Sequence, residues 1–293
     1  MNRFKSLVLT KDFQEVIAYP DVNFPLEIWI GNLNEYFNNE LPIHFHDIFE
    51  YAFVLKGEVI YKINDENIVL HENEGIFVNS NVIHSVRQNE KEAILYTIGF
   101  PSNLLINDSS NFLYKKYFDP IIYGNCKYLI IKDKDILDLM NTIYDDSKKS
   151  FNDLHFLSLL IDLWSKTYDK LCKLDLVRNT NEFINEERMK LILNYIHEHY
   201  GEKISVDDLA NLLNISKNTC FRLFKKYLSK SPTEYILDYR INKAATFLLH
   251  SDKNIISIAL ECGFENASYF GKVFKEKTGF SPLKYRKERT GLT

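Results

Sequence analysis

Four side chains able to bind a metal ion or a small polar ligand stand in two short stretches of this chain. His44, His46 and Glu50 lie in His44-Phe-His46-Asp-Ile-Phe-Glu50, and His84 follows after Gly75. Neutral imidazoles and one carboxylate can accept and donate hydrogen bonds to a polyhydroxy compound. Three nitrogens with one oxygen also suit Fe, Mn, Ni or Zn. Even spacing puts His44, His46 and Glu50 on one side of a strand, provided that the strand runs unbroken, because successive side chains alternate. Three uses are open: an effector pocket without metal, a metal centre, or histidines that merely satisfy backbone groups. The effector pocket is the reading adopted here.

A second set of residues points to nucleic acid, and it occurs twice. Asp208-Leu-Ala-Asn-Leu-Leu-Asn-Ile215 leads into Ser216-Lys-Asn-Thr-Cys-Phe-Arg-Leu-Phe-Lys-Lys226, then Ser231-Pro232 and Tyr235. Ser257-Ile-Ala-Leu-Glu-Cys-Gly-Phe264 leads in the same way through Lys272, Phe274 and Lys275 to Ser281-Pro282 and Tyr285. Ala210 and Ile215 pair with Ala259 and Phe264 at an offset of 49, and Phe224, Lys225 and Tyr235 pair with Phe274, Lys275 and Tyr285 at an offset of 50. A fixed period with one insertion at the turn marks a duplicated supersecondary unit. Asn214 and Gly263 fall at equivalent turn positions and are the residue types that best tolerate φ > 0. Each unit therefore reads as helix, turn, helix, with Ser216 capping the second helix of one copy and Asn266 or Ser268 that of the other. Arg222, Lys225 and Lys226, with Lys272 and Lys275, are left on outer faces. A solvated basic surface explains such charges equally well in isolation, but has no reason to repeat in register with turn and core. Pro232 to about Leu249 reads as one helix joining the copies, so that two recognition helices could enter successive major grooves roughly 34 Å apart.

Residues of about 187 to 290 resemble the DNA-binding domain of the AraC/XylS family of bacterial transcription regulators, most densely from Ile255 to Arg286. That resemblance implies base-facing positions at Asn218, Phe221 and Arg222 in the first recognition helix, with Lys225 on the same outer face. In the second helix the implied positions are Ala267, Ser268 and Lys272. Arg222 could read guanine and Asn218 adenine, whereas Phe221 and Ala267 offer only apolar contact, for example to a thymine methyl. The first hundred residues resemble the cupin pattern H-x-H-x3-E-x6-G, completed here by Gly57, with His84 as the second-half histidine. Asn81 stands where proline is usual, and the usual glycine is missing. In a cupin the shared side is the barrel interior. Metal-dependent cupins hold an ion with three His and one Glu, while sensory barrels of the AraC/XylS type often use such residues for an effector without metal. What the resemblance implies is a transcription regulator, an activator more than a repressor, responding to a small effector such as a sugar. It also implies a homodimer on promoter or operator DNA, with RNA polymerase as a candidate partner. No cofactor and no enzymatic activity are expected. The rivals are a metal-dependent cupin enzyme with an appended DNA-binding domain, and a constitutive DNA-binding dimer without effector.

The elements that must position these residues follow from pattern. Leu26 to Ile30, Phe49 to Lys56, Glu58 to Ile63, Asn67 to Leu70, Gly75 to Asn79, Ile83 to Arg87 and Ala93 to Phe100 are short aromatic or β-branched runs separated by turns, as in a small barrel or jelly roll. Ile136, Leu139, Met140 and Ile143 mark one helix. Leu154, Leu157, Ile161, Trp164, Tyr168 and Leu171 mark a second, whose seam is expected to face another subunit. The fold class is α+β with two domains: a cupin-like β-barrel with a helical dimerisation segment (1–172), a linker (173–186) and an all-α domain of two helix-turn-helix units (187–293). Charge supports the division. Residues 187–293 carry 18 Lys and Arg against 12 Asp and Glu, net +6, and residues 1–186 are net −10, giving the chain its −4. A basic module joined to an acidic one suits nucleic-acid binding although the whole chain is acidic. The isolated cysteines form no CxxC pair, so neither a disulfide framework nor a zinc finger is expected, and Cys220 and Cys262 read as small buried hydrophobes. No leader or membrane-spanning run is visible, and the expected compartment is the cytoplasm.

Overall fold

A computed structural model describes residues 17, 19–64, 66–89, 91–149, 152–174 and 180–290. Among the described residues nine strands make two antiparallel sheets: β1 (Glu27–Asn32), β2 (Glu40–His44), β3 (Phe49–Lys56), β4 (Glu58–Ile63), β5 (Glu66–His71), β6 (Gly75–Val78), β7 (His84–Gln88), β8 (Ile94–Phe100) and β9 (Tyr128–Ile131). One sheet runs β1-β8-β3-β6-β9 and the other β2-β7-β4-β5. Seven of these match the runs read from sequence. β2 shows in the sequence only as the histidine motif, and β9 is an addition to the expected strands.

Strand β3 shows why the sheets pack as they do. Phe49, Tyr51 and Phe53 point one way, into a core shared with helices, while Ala52 and Val54 point the other way, between the two sheets. Both faces are buried, so the strand reads as an unbroken apolar run in which Glu50 is the exception. Strand β8 follows the same rule, with Tyr96, Ile98 and Phe100 facing the helices and Leu95 facing between the sheets.

Three short helices, α1 (Ser102–Leu105), α2 (Phe112–Tyr117) and α3 (Asp119–Ile122), precede α4 (Lys134–Ser147) and α5 (Asp153–Leu171). The buried face of α5 is Phe156, Leu160, Leu163, Trp164, Thr167 and Leu171. This corrects the expected intersubunit seam. Trp164 stacks on Phe49 at 4.5 Å and on Phe118 at 4.9 Å inside its own domain, and Leu171 is buried in the same core. Leu154 and Ile161 remain on the exposed side.

The C-terminal part is helical: α6 (Thr180–His199), α7 (Val206–Leu212), α8 (Lys217–Leu228), α9 (Pro232–His250), α10 (Ile255–Glu261), α11 (Ala267–Thr278) and α12 (Pro282–Thr290). Helix α6 begins inside the stretch read as linker, which is therefore helical from 180 onward; residues 175–179 of that stretch, and residues 1–16, lie outside the described residues. Buried residues of α6 to α9 form one cluster, and those of α9 to α12 another. Cys220 and Cys262 are buried, one in each. No helix among the described residues is long and apolar enough to cross a membrane.

Candidate functional site

The four residues picked out by spacing converge, although not by the route the spacing suggested. The strand carrying His44 ends there. Phe45 makes an isolated bridge, Asp47 and Ile48 bend, and β3 starts at Phe49 in the other sheet. His44 and His84 face each other as register partners on β2 and β7, with ring centroids 4.2 Å apart. Glu50 reaches them from the opposite sheet. The donor atoms of all four residues lie within 4.8 Å of one another, and all four are buried. Asn81 explains its own presence in place of proline: it adopts φ 60°, and its amide donates to the His46 carbonyl at 2.6 Å. Proline has neither that φ nor that N–H.

Backbone carbonyls fix the histidine tautomers. Nδ1 of His44 lies 2.7 Å from the Pro42 oxygen, that of His46 3.1 Å from the Ile48 oxygen and that of His84 2.9 Å from the Val82 oxygen. A carbonyl only accepts, so each Nδ1 carries a proton; neutral His44 and His84 then keep a lone pair on Nε2, whereas His46 Nε2 faces the Glu50 carboxylate, which also only accepts, and donates to it. His46 Nε2 lies 3.3 Å and His84 Nε2 3.9 Å from Glu50 Oε2. His84 Nε2 is buried and has no hydrogen-bond partner. Burial, then the neighbouring imidazoles, hold His44 well below its ordinary pKa, and burial brings His84 down to about 4. Burial alone would raise the Glu50 carboxyl. The hydrogen bond to His46 and the fields of the histidines outweigh it and hold the group far down.

Such a donor set fits a transition-metal ion. Ring N–H groups anchored on carbonyls, with the other nitrogen turned toward a shared centre, are the usual support of metal-bound histidine. Metal–nitrogen bonds of about 2.1 Å put opposite ligands about 4.2 Å apart and tetrahedral neighbours about 3.4 Å apart, so donor atoms within 4.8 Å of one another would draw in around an ion. The cavity beside it has about 40 Å³ open to the centres of water molecules, lined among others by Glu27, Trp29, Tyr61 and Thr97. None of these four was singled out by sequence reasoning. Tyr61 donates to Glu50 Oε1 at 3.3 Å, and burial and the charge of Glu50 push the Glu27 carboxyl up. Only their inward positions on β1, β4 and β8 mark them, and nothing in linear spacing joins them to the histidines.

The duplicated helical units repeat in geometry as well as in sequence. Asn214 has φ 52° and Gly263 φ 77°. The next amides, Ile215 and Phe264, donate to Ala210 and Ala259 at 3.0 and 2.9 Å. Ser216 caps α8 on the Thr219 amide and Asn266 caps α11 on the Tyr269 amide. Both recognition helices end in a left-handed residue, Ser229 or Gly279. Asn218, Phe221, Arg222 and Lys225 are exposed along α8, as are Ser268 and Lys272 along α11, with Ala267 half-buried. Asp238 of α9 ties the units together, taking Lys230 at 2.7 Å and Lys277 of α11 at 2.8 Å. Tyr269, 52% exposed on α11, was overlooked because aromatic residues read first as core.

Two helix-turn-helix units on one rigid helix, with open basic faces, define a DNA-binding transcription regulator. Comparison with known proteins agrees. The helix-turn-helix domain family matches residues 209–288, and the cupin domain family residues 38–99. The HTH-type transcriptional regulator YdeC of Bacillus subtilis (strain 168) is 30% identical over 97% of this chain and 99% of its own length. The transcriptional activator RhaS of Mannheimia succiniciproducens is 25% identical over 84% of this chain and 89% of its own. A crystal structure of ToxT from Vibrio cholerae O395 aligns over 91% of this chain and 99% of that one, at 15% identity and a TM-score of 0.46. The chain belongs to the AraC/XylS family of transcription regulators, with a cupin domain in its N-terminal part.

Proposed function

We propose that the cluster of His44, His46, Glu50 and His84 is the sensing site of this regulator, and that its occupant is a divalent transition-metal ion. The observation that carries the reading is the geometry of the cluster: three rings are anchored through Nδ1 on backbone carbonyls, and the donor atoms of the four residues lie buried within 4.8 Å of one another. The three histidines would each give a nitrogen and Glu50 an oxygen. An ion would supply positive charge where lone pairs and a carboxylate otherwise face one another. A sugar effector is less well supported, because small-molecule pockets run to about 300 Å³ or more and this cavity offers about 40 Å³.

A regulator rather than an enzyme is the reading that the relatives' names support, and activation is supported by one of them. The domains proposed are 1–172 and 187–293, joined through 173–186, in the cytoplasm. Homodimerisation through the exposed side of α5, with Leu154 and Ile161, would let two chains bind DNA with raised effective concentration, and RNA polymerase would be the further partner. Base contacts are assigned to Asn218, Phe221, Arg222, Ala267, Ser268 and Lys272, with Lys225 beside them.

The test is metal analysis of the full chain after equilibration with Zn(II), Ni(II), Fe(II) or Mn(II). Wild type should retain a stoichiometric ion, Glu50→Gln should bind it at least about tenfold more weakly, and His84→Ala should lose it while keeping its circular dichroism. Failure of wild type to retain any of these ions overturns the metal reading; calorimetry with carbohydrates then examines the effector reading.

A further inference from the structure

The residues between the clustered histidines belong to a different part of the molecule. Phe45 lies between His44 and His46, and Ile83 immediately precedes His84. Both are buried in the hydrophobic cluster of the first helix-turn-helix unit, together with Met189, Ile192, Phe224 and Tyr227. Ile43, one step before His44, packs against the same cluster. Alternation along an extended backbone is the cause: side chains at successive positions point to opposite faces, so the histidines turn into the barrel and their neighbours turn out onto the helices.

Further contacts hold this face together. Lys190 of α6 sits 5.1 Å over the Phe45 ring, and Glu186 of α6 pairs with Lys127, just before β9, at 2.5 Å. The two histidine-bearing segments are also joined to each other, by the Asn81 amide on the His46 carbonyl and by the His44–His84 register pair. The cluster of the second unit, by contrast, contains no barrel residue among the described residues.

We propose that occupancy of the barrel site is transmitted to the first helix-turn-helix unit alone, through Phe45 and Ile83, and that it tightens the docking of that unit on the barrel. The inference rests on the sensing-site reading above. Drawing the histidine rings together around an occupant fixes the short backbone segments that carry them. The same segments then present Phe45 and Ile83 to α6 and α8 in one arrangement rather than several. The occupant thereby binds the docked state better than the undocked one, which is the condition for shifting the equilibrium between them.

Hydrogen exchange of the full-length protein tests this, with zinc(II) as the probe. In wild type, saturating zinc should slow the amides of 189–196 and 220–228 on the order of fivefold and leave those of 255–278 unchanged. Phe45→Ala, or the milder Phe45→Leu and Ile83→Val should the first fail to fold, should bind zinc as wild type does and lose the slowing. Zinc uptake with unchanged or faster exchange in the first unit, or with equal slowing of both units, overturns the proposed route and leaves the metal reading standing. If wild type takes up no zinc, Ni(II), Fe(II) and Mn(II) replace it as probes, and the metal reading falls by itself if none of them is retained. The route then stands only if His84→Ala alters the same amides, and amides that ignore His84→Ala overturn it.

Discussion

Asn214 and Gly263 hold the same left-handed turn position in the two helix-turn-helix units, yet their surroundings differ. A Cβ on Gly263 would lie 2.5 Å from the Tyr200 carbonyl oxygen and 2.9 Å from the Arg240 guanidinium, which itself donates to that carbonyl at 2.8 Å. Asn214 is exposed. Further along, Phe221 and Gly271 occupy equivalent places on the two recognition helices. Phe221 is 43% exposed, whereas a Cβ on Gly271 would meet nothing within 4 Å. Among the described residues, the first unit shares its core with the barrel and the second does not. Duplication preserves the backbone, then, while neighbours decide which side chains it can carry and which unit feels the sensor.

The largest effect expected from this contrast is on stability. Gly263→Ala places a side chain at φ 77° against a backbone carbonyl and should cost roughly 2–4 kcal/mol in chemical denaturation. Asn214→Gly, at the matching open position, should stay within about 0.5 kcal/mol. Similar costs for the two substitutions would show that the turns are not distinguished by their surroundings.

A smaller effect with two opposite signs is expected at Gly271. Glycine inside a helix costs about 0.5–1 kcal/mol relative to alanine, and the site has room for the methyl group. Gly271→Ala should therefore stabilise the domain by about that amount. If glycine stands there to let the helix backbone approach DNA closely, DNA affinity should fall at the same time, as read by fluorescence anisotropy. Stabilisation with unchanged affinity would remove the close-approach explanation.

How far the sequence discloses the molecule depends on the range over which the determining contacts act. Turn residues, caps and the joining helix were legible because each is set within a few residues: Ser216 caps Thr219, and Asn266 caps Tyr269. Helix α5 was legible as a helix but not in its orientation. It is apolar around much of its circumference, and its buried stripe includes Thr167, whose hydroxyl donates to the Leu163 carbonyl at 2.7 Å, so the pattern alone favours the more apolar stripe through Leu157 and Ile161. In the barrel, the motif brings His44, His46, Glu50 and His84 together, but even spacing presumes a strand that the bend at 47–48 interrupts. Glu27, Tyr61 and Thr97 reach the site only through the pairing of distant strands, which spacing along the chain does not encode. Contact of Phe45 and Ile83 with the helical domain is of the same long-range kind.

The central claim is that this is a regulator whose two helical units read separate DNA segments, and selection of bound sequences from a random duplex library tests it most directly. Wild-type full-length protein should select two short conserved segments with centres about one helical turn, roughly 34 Å, apart. Arg222→Ala should blur one segment, costing about 1–3 kcal/mol there if it pairs with guanine, and Lys272→Ala should blur only the other. A selected site with a single segment, or two variants that blur the same bases, would contradict the account.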